Sequence, residues 1–104
     1  MTRRHVFLTP RAEADLDRIA LWIAEQGAPV TALEYVARIR RFLASLDEFP
    51  ERGTDYDSVR RGLRILGFER RVVIAIVVRE DRVEIERVFS SGQNWRDALQ
   101  LPDN

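Results

Sequence analysis

Seven consecutive apolar residues, Val72 to Val78, constrain this chain more than any other stretch. All but Ala75 are β-branched, which favours a strand, and a strand sends successive side chains to opposite faces. Val72, Ile74, Ile76 and Val78 therefore point one way, and Val73, Ala75 and Val77 the other. Both faces are apolar, so the strand belongs in a sheet covered on both sides. The run is well short of the ~20 residues that span a bilayer.

Two further runs read as strands, Leu63 to Leu66 before it and Val83 to Phe89 after it. Gly67 with Glu69 marks one bend and Glu80 with Asp81 the other, and such short connections make neighbouring strands antiparallel. In the last run Val83, Ile85, Arg87 and Phe89 share one face, and Val88 falls with Glu84 and Glu86. The first half of the chain has the helical period instead. His5 to Leu8 is a short β-prone start, and Thr9 before Pro10 is a helix-start signal. Ala12, Leu16, Ile19 and Ile23 then form one stripe of a helix ending near Gly27, with Leu21 opposite the stripe and Trp22 at its flank. Thr31 and Glu34 have capping-box spacing just after Pro29. Ala32, Val36, Ile39, Leu43 and Leu46 continue a second stripe, widened by Tyr35 and Phe42, that stops before Pro50. The expectation is an α+β fold: a short N-terminal strand, an antiparallel helical hairpin packed on a small, mainly antiparallel sheet, and a short C-terminal helix within Asn94 to Leu101.

The hairpin covers one face of that sheet. Either the segment from Asn94 to Leu101, with Trp95, Leu99 and Leu101, folds over the other face, or another chain does. Leaving a few hundred Å² of it wet forgoes roughly several kcal/mol at ~25 cal/mol per Å², so a partner is the economical explanation. The expected contact surface is led by Val73, Ala75, Val77 and Val88, with Leu21 and Trp22 beside it.

Charge narrows the partner. The 17 basic and 17 acidic residues cancel, which argues against bulk attraction to nucleic acid or membrane. They are unevenly placed: Asp47 to Asp57 holds five acids and one base, and Arg60 to Arg71 five arginines and one acid. Arg60, Arg61 and Arg64 are the expected ion-pair partners of an acidic chain. Every basic residue except His5 is arginine, and without lysine the usual general bases and nucleophilic amines are scarce. With no cysteine, nothing points to disulfides, a thiolate site or an oxidising compartment. A single domain spanning 1–104, cytoplasmic and without cofactor or metal, is expected.

The order of these parts resembles the ParE toxins of the RelE/ParE superfamily, found in bacterial type II toxin–antitoxin systems. The likeness is carried by TPRAEADLDRIALWIAEQG from Thr9 to Gly27, FPERG from Phe49 to Gly53, GLRIL from Gly62 to Leu66 and VEIERVF from Val83 to Phe89. It implies a toxin that is not itself an enzyme, held in a hetero-oligomer by a ParD-like antitoxin and inhibiting DNA gyrase when free, with DNA binding left to the antitoxin. Target contact would fall on Gln93, Trp95 and Arg96. Many relatives carry His-Gly where this chain has Ser91-Gly92, and often a basic residue where it has Gln93 and Asn94. An alternative is a RelE-like ribosome-dependent mRNA endonuclease, in which Arg64, Arg70, Arg71 and Arg87 would stabilise phosphate charge. Against it, lysine is absent and both tyrosines, Tyr35 and Tyr56, precede the sheet. A third reading is a degenerate, non-toxic module that only binds antitoxin.

Overall fold

Thr9 opens the first helix as its position predicts. Its Oγ1 accepts from the Ala12 N–H at 3.1 Å and donates to the Glu86 carbonyl at 3.0 Å, so one side chain caps the helix and ties it to the last strand. The computed structural model describes residues 4–90 and 92–102, and Ser91 lies outside the described residues. In order come β1 (His5–Leu8), α1 (Pro10–Glu25), α2 (Pro29–Ala44), a 3-10 turn (Ser45–Asp47), β2 (Thr54–Asp55), β3 (Leu63–Phe68), β4 (Val72–Val78), β5 (Arg82–Ser90) and α3 (Trp95–Ala98). The capping box expected at Thr31 is not used: α2 begins at Pro29 with Ala28 as N-cap and no side-chain cap. Proline at the first helical position supplies the start by its fixed φ.

The five strands form one sheet in the order β1-β5-β4-β3-β2, antiparallel except for β1, which runs parallel to β5. The fold is thus the expected α+β arrangement. Its helix-covered face buries Leu16, Ile19, Ile39 and Leu43 of the two helices against Leu66, Val72, Ile74, Ile76, Val83 and Ile85 of the sheet.

β5 departs from simple alternation. Ala75 pairs with Arg87, but Ile76 pairs with Ile85, so Glu86 is an extra residue in the strand, a β-bulge. The extra residue reverses the parity of everything after it. Val88 joins Val83 and Ile85 in the helix-side core, which corrects its expected place on the opposite face. Arg87 and Phe89 instead lie across from Ala75 and Val73, on the second face.

Candidate functional site

The second face is not open. Leu63, Ile65, Ala75 and Val77 are buried there together with Leu101, and Tyr56, Val73, Trp95 and Leu99 pack around them. The chain's own C-terminal segment is the cover, so the expectation of a vacant apolar face at Val73, Ala75 and Val77 is corrected. Local chemistry makes the segment fold back. Asn94 caps α3 through Oδ1, which accepts from the Asp97 N–H at 3.3 Å. At the other end Leu101 N–H donates to Arg96 O (2.9 Å) and Gln100 N–H to Asp97 O (3.0 Å), with Gln100 at φ 58. These are the paired bonds of a Schellman C-cap, and they swing Leu101 onto the sheet. The segment leaves β5 through Gly92, whose φ of 92 lies in the left-handed region.

The residues expected to meet a target sit on this cover. Trp95 is half-buried on the second face, and Arg96 lies 4.7 Å over its ring with Nη1 donating to the Tyr56 hydroxyl at 3.4 Å. Gln93 is a tether: its Oε1 accepts from Ser90 N–H (2.8 Å), Ser90 Oγ (3.0 Å) and Arg18 Nη2 (3.0 Å).

Arg18 leads to a group that sequence reasoning missed. Asp15, on α1, is only 2% exposed. Its carboxylate accepts from Arg87 Nε (2.8 Å), Arg87 Nη2 (3.1 Å), Val88 N–H (2.8 Å) and Arg18 Nη1 (3.1 Å). Burial alone would raise its pKa, but the bonds from Arg87 and Val88, the Arg87 charge and the Arg18 bond outweigh it, so the carboxyl titrates below its ordinary value. The Arg87 guanidinium is correspondingly held charged, chiefly by its bond to Asp15. The carboxylate thus seals the β5 edge just past the bulge, where β1 has already ended. The signal in the sequence was an acid three residues after Ala12 and four before Ile19, at the margin of an apolar stripe.

The arginines divide. Arg60 donates to Glu86 at 2.9 Å. Arg64 lies across from Ile76, on the helix side of the sheet rather than the second face, and its Nε holds the Arg52 carbonyl at 2.9 Å. That bond fixes the segment around Gly53, where a Cβ would strike the Ile65 carbonyl and φ is 76. Arg61 is exposed. At the β3–β4 turn Arg70 and Arg71 are exposed, and Glu69 is gripped by Arg38 of α2 at 2.9 and 3.0 Å.

Among the charged residues of the outer surface of α1, two large apolar side chains meet water, Leu21 60% and Trp22 64% exposed. Val30 and Leu33 on α2 are exposed too. The Glu13–Arg40 ion pair at 2.8 Å ties the two helices of the hairpin together. Sequence reading singled out the α1 pair and missed the α2 residues, which lie off the second stripe. Among the described residues no group of three His, Asp or Glu side chains gathers to hold a metal ion, and no helix is long and apolar enough to cross a membrane.

A sequence family described as "ParE toxin of type II toxin-antitoxin system, parDE" matches residues 6–95. No curated protein matches the chain. Among solved structures, a chain described as "Chromosomal ParDE TA system from P. aeruginosa" superposes with a TM-score of 0.73 at 26% identity, covering 86% of this chain and 97% of that one.

Proposed function

The chain belongs to the ParE toxin family of type II toxin–antitoxin systems, and from that premise we propose that a ParD-like antitoxin neutralises it and that the free protein inhibits DNA gyrase by binding rather than by chemistry. The observation that carries the antitoxin reading is the exposure of large apolar side chains on both helices of the hairpin, Leu21 and Trp22 on α1 and Val30 and Leu33 on α2. Four large apolar side chains left more than half exposed on one small hairpin suit a surface that another molecule covers. An antitoxin tail that folds as it binds suits such side chains, and exposed Arg61 offers acidic side chains a place to pair, whereas Arg60 is already paired with Glu86. The second sheet face is not part of this contact, because Trp95, Leu99 and Leu101 occupy it.

Binding rather than catalysis is supported by where the arginines are spent. Arg87 is committed to Asp15 and Arg64 to the Arg52 carbonyl, so two of the four cations that an endonuclease would turn on a phosphate already have partners. The proposed target contact is the segment of Gln93, Trp95 and Arg96, which presents Arg96 beside an indole. Cofactor chemistry has no part in this reading, and the site of action is the cytoplasm.

Induced expression without antitoxin tests it. Filamentation with DNA damage signalling, and loss of supercoiling by purified gyrase on adding the protein, are expected, with rescue by the co-encoded antitoxin. Rapid translation arrest with cut transcripts would replace the gyrase reading with the nuclease one. Unhindered growth would leave only the antitoxin-binding module.

A further inference from the structure

The side-chain amide of Gln93 is held by one end only. Its Oε1 lies 2.8 Å from Ser90 N, 3.0 Å from Ser90 Oγ and 3.0 Å from Arg18 Nη2. A main-chain N–H and a guanidinium can only donate, so the amide has one orientation, oxygen toward the clamp and Nε2 away from it. Among the described residues Nε2 meets no acceptor, yet the buried side-chain atoms left without a partner are Tyr35 Oη and Arg79 Nε. Nε2 therefore reaches water. The clamp is itself anchored, because Arg18 Nη1 donates to Asp15 Oδ1 at 3.1 Å and Asp15 is held by Arg87 and the Val88 N–H. Arg18 thus carries the position of a buried carboxylate out to a partly exposed side chain 75 residues further along the chain.

We propose that Arg18 is a positioning residue for the target contact: with Ser90 it holds Gln93 by its oxygen, so that the amide NH2 is presented as a donor to an oxygen acceptor on the target. The proposal rests on the gyrase reading given above and supplies the chemistry of its contact. The neighbouring side chains fit it. Arg96, like the outer end of Gln93, can only donate. The adjoining acid, Asp97, is engaged in its own helix cap, where Oδ2 accepts from Asn94 Nδ2 at 2.8 Å. A segment that offers donors is complemented by carboxylate or main-chain carbonyl oxygens of a protein target.

The test follows inhibition of supercoiling by purified gyrase and amide hydrogen exchange on the same purified chain. Ser90 N–H is bonded to Gln93 Oε1 and Val88 N–H to Asp15 Oδ2, so the two amides separate the clamp from its anchor. Arg18→Ala is expected to speed exchange at Ser90 by about threefold or more with Val88 unchanged, and to raise the half-inhibitory concentration by about tenfold. Gln93→Glu keeps an oxygen for Ser90 and Arg18 but has no NH2. It is expected to leave Ser90 protected and still to raise the half-inhibitory concentration by about tenfold. Equal acceleration at Ser90 and Val88 makes Arg18 a mere support of Asp15 and overturns the positioning role. A Gln93→Glu chain that inhibits as strongly as the original overturns the donor role and leaves the gyrase reading standing. An original chain without effect on gyrase overturns the target reading, and this proposal with it.

Discussion

The two faces of β4 are equally apolar, yet they are covered in different ways. Two helices running Pro10–Glu25 and Pro29–Ala44 lie on one face, bound to the sheet by Thr9, Asp15 and a run of fully buried Leu, Ile and Val. On the other lie a helix of only four residues and one returning leucine, joined to β5 through a left-handed glycine. The second cover buries fewer side chains than the first, so its contribution is expected to be smaller and more local. A strand with two oily sides therefore does not by itself announce a vacant docking face, because a short tail can fill the need.

The contrast can be broken in steps. Ile76→Ala, on the helix side, should cost about 4 kcal/mol in urea unfolding, in the range of large-to-small core changes; a loss below about 2 kcal/mol would make the helix side no more demanding than the tail side. Asp15→Ala should follow at about 3 kcal/mol, since it leaves the Arg87 charge and the Val88 N–H without their partner. pH gives the same clamp a second readout. The folded carboxyl titrates below its ordinary value of 3.8, so its contribution is full above that value and is lost as pH falls through the lower folded one. Asp15→Asn should accordingly flatten the acid limb of a stability curve, and an unchanged limb would remove the carboxylate from the account.

On the tail side, Leu101→Ala should cost about 2 kcal/mol, at the low end for a buried leucine at the margin of a cluster. The Leu99 and Leu101 amides should exchange by local opening, well before Ile76. If both sets exchange together, the tail belongs to the global fold. Smallest is Arg61→Glu, expected to change stability by less than about 0.5 kcal/mol while speeding dissociation of the antitoxin. An unchanged off-rate would take Arg61 out of the interface. Truncation after Gly92 is the wrong way to probe target binding, because it strips the cover from Leu63, Ile65, Ala75 and Val77. Arg96→Glu reads the target contact without that exposure.

Much of the architecture was legible because periodicity carries it. The stripe Ala12–Ile23, the run Val72–Val78 and the Asn94 cap sit where their spacing places them, and the second stripe holds from Ala32 to Leu43, its last member Leu46 falling in the 3-10 turn after α2 ends at Ala44. What failed did so where one residue outvotes a period. Val83, Ile85 and Val88 are apolar at steps of two and then three, the mark of a bulge, and strict alternation put Val88 on the wrong face. The candidate site was less legible than the fold. Asp15 reads as solvent-facing until β5 brings Arg87 to it from 72 residues away, and the return of Leu101 depends on a non-glycine residue, Gln100, adopting a left-handed turn. Exposed Leu21 and Trp22 were within reach, since the stripe itself defines its opposite side.

The parallel pairing of β1 with β5 also sets a clock. The first strand made has no neighbour until residues 82–85 exist, and at ~5–20 residues per second of synthesis the ribosome delivers them roughly 4–15 s later. The polypeptide thus lacks a finished sheet for most of its synthesis, and any surface that needs all five strands is assembled only as its last stretch emerges.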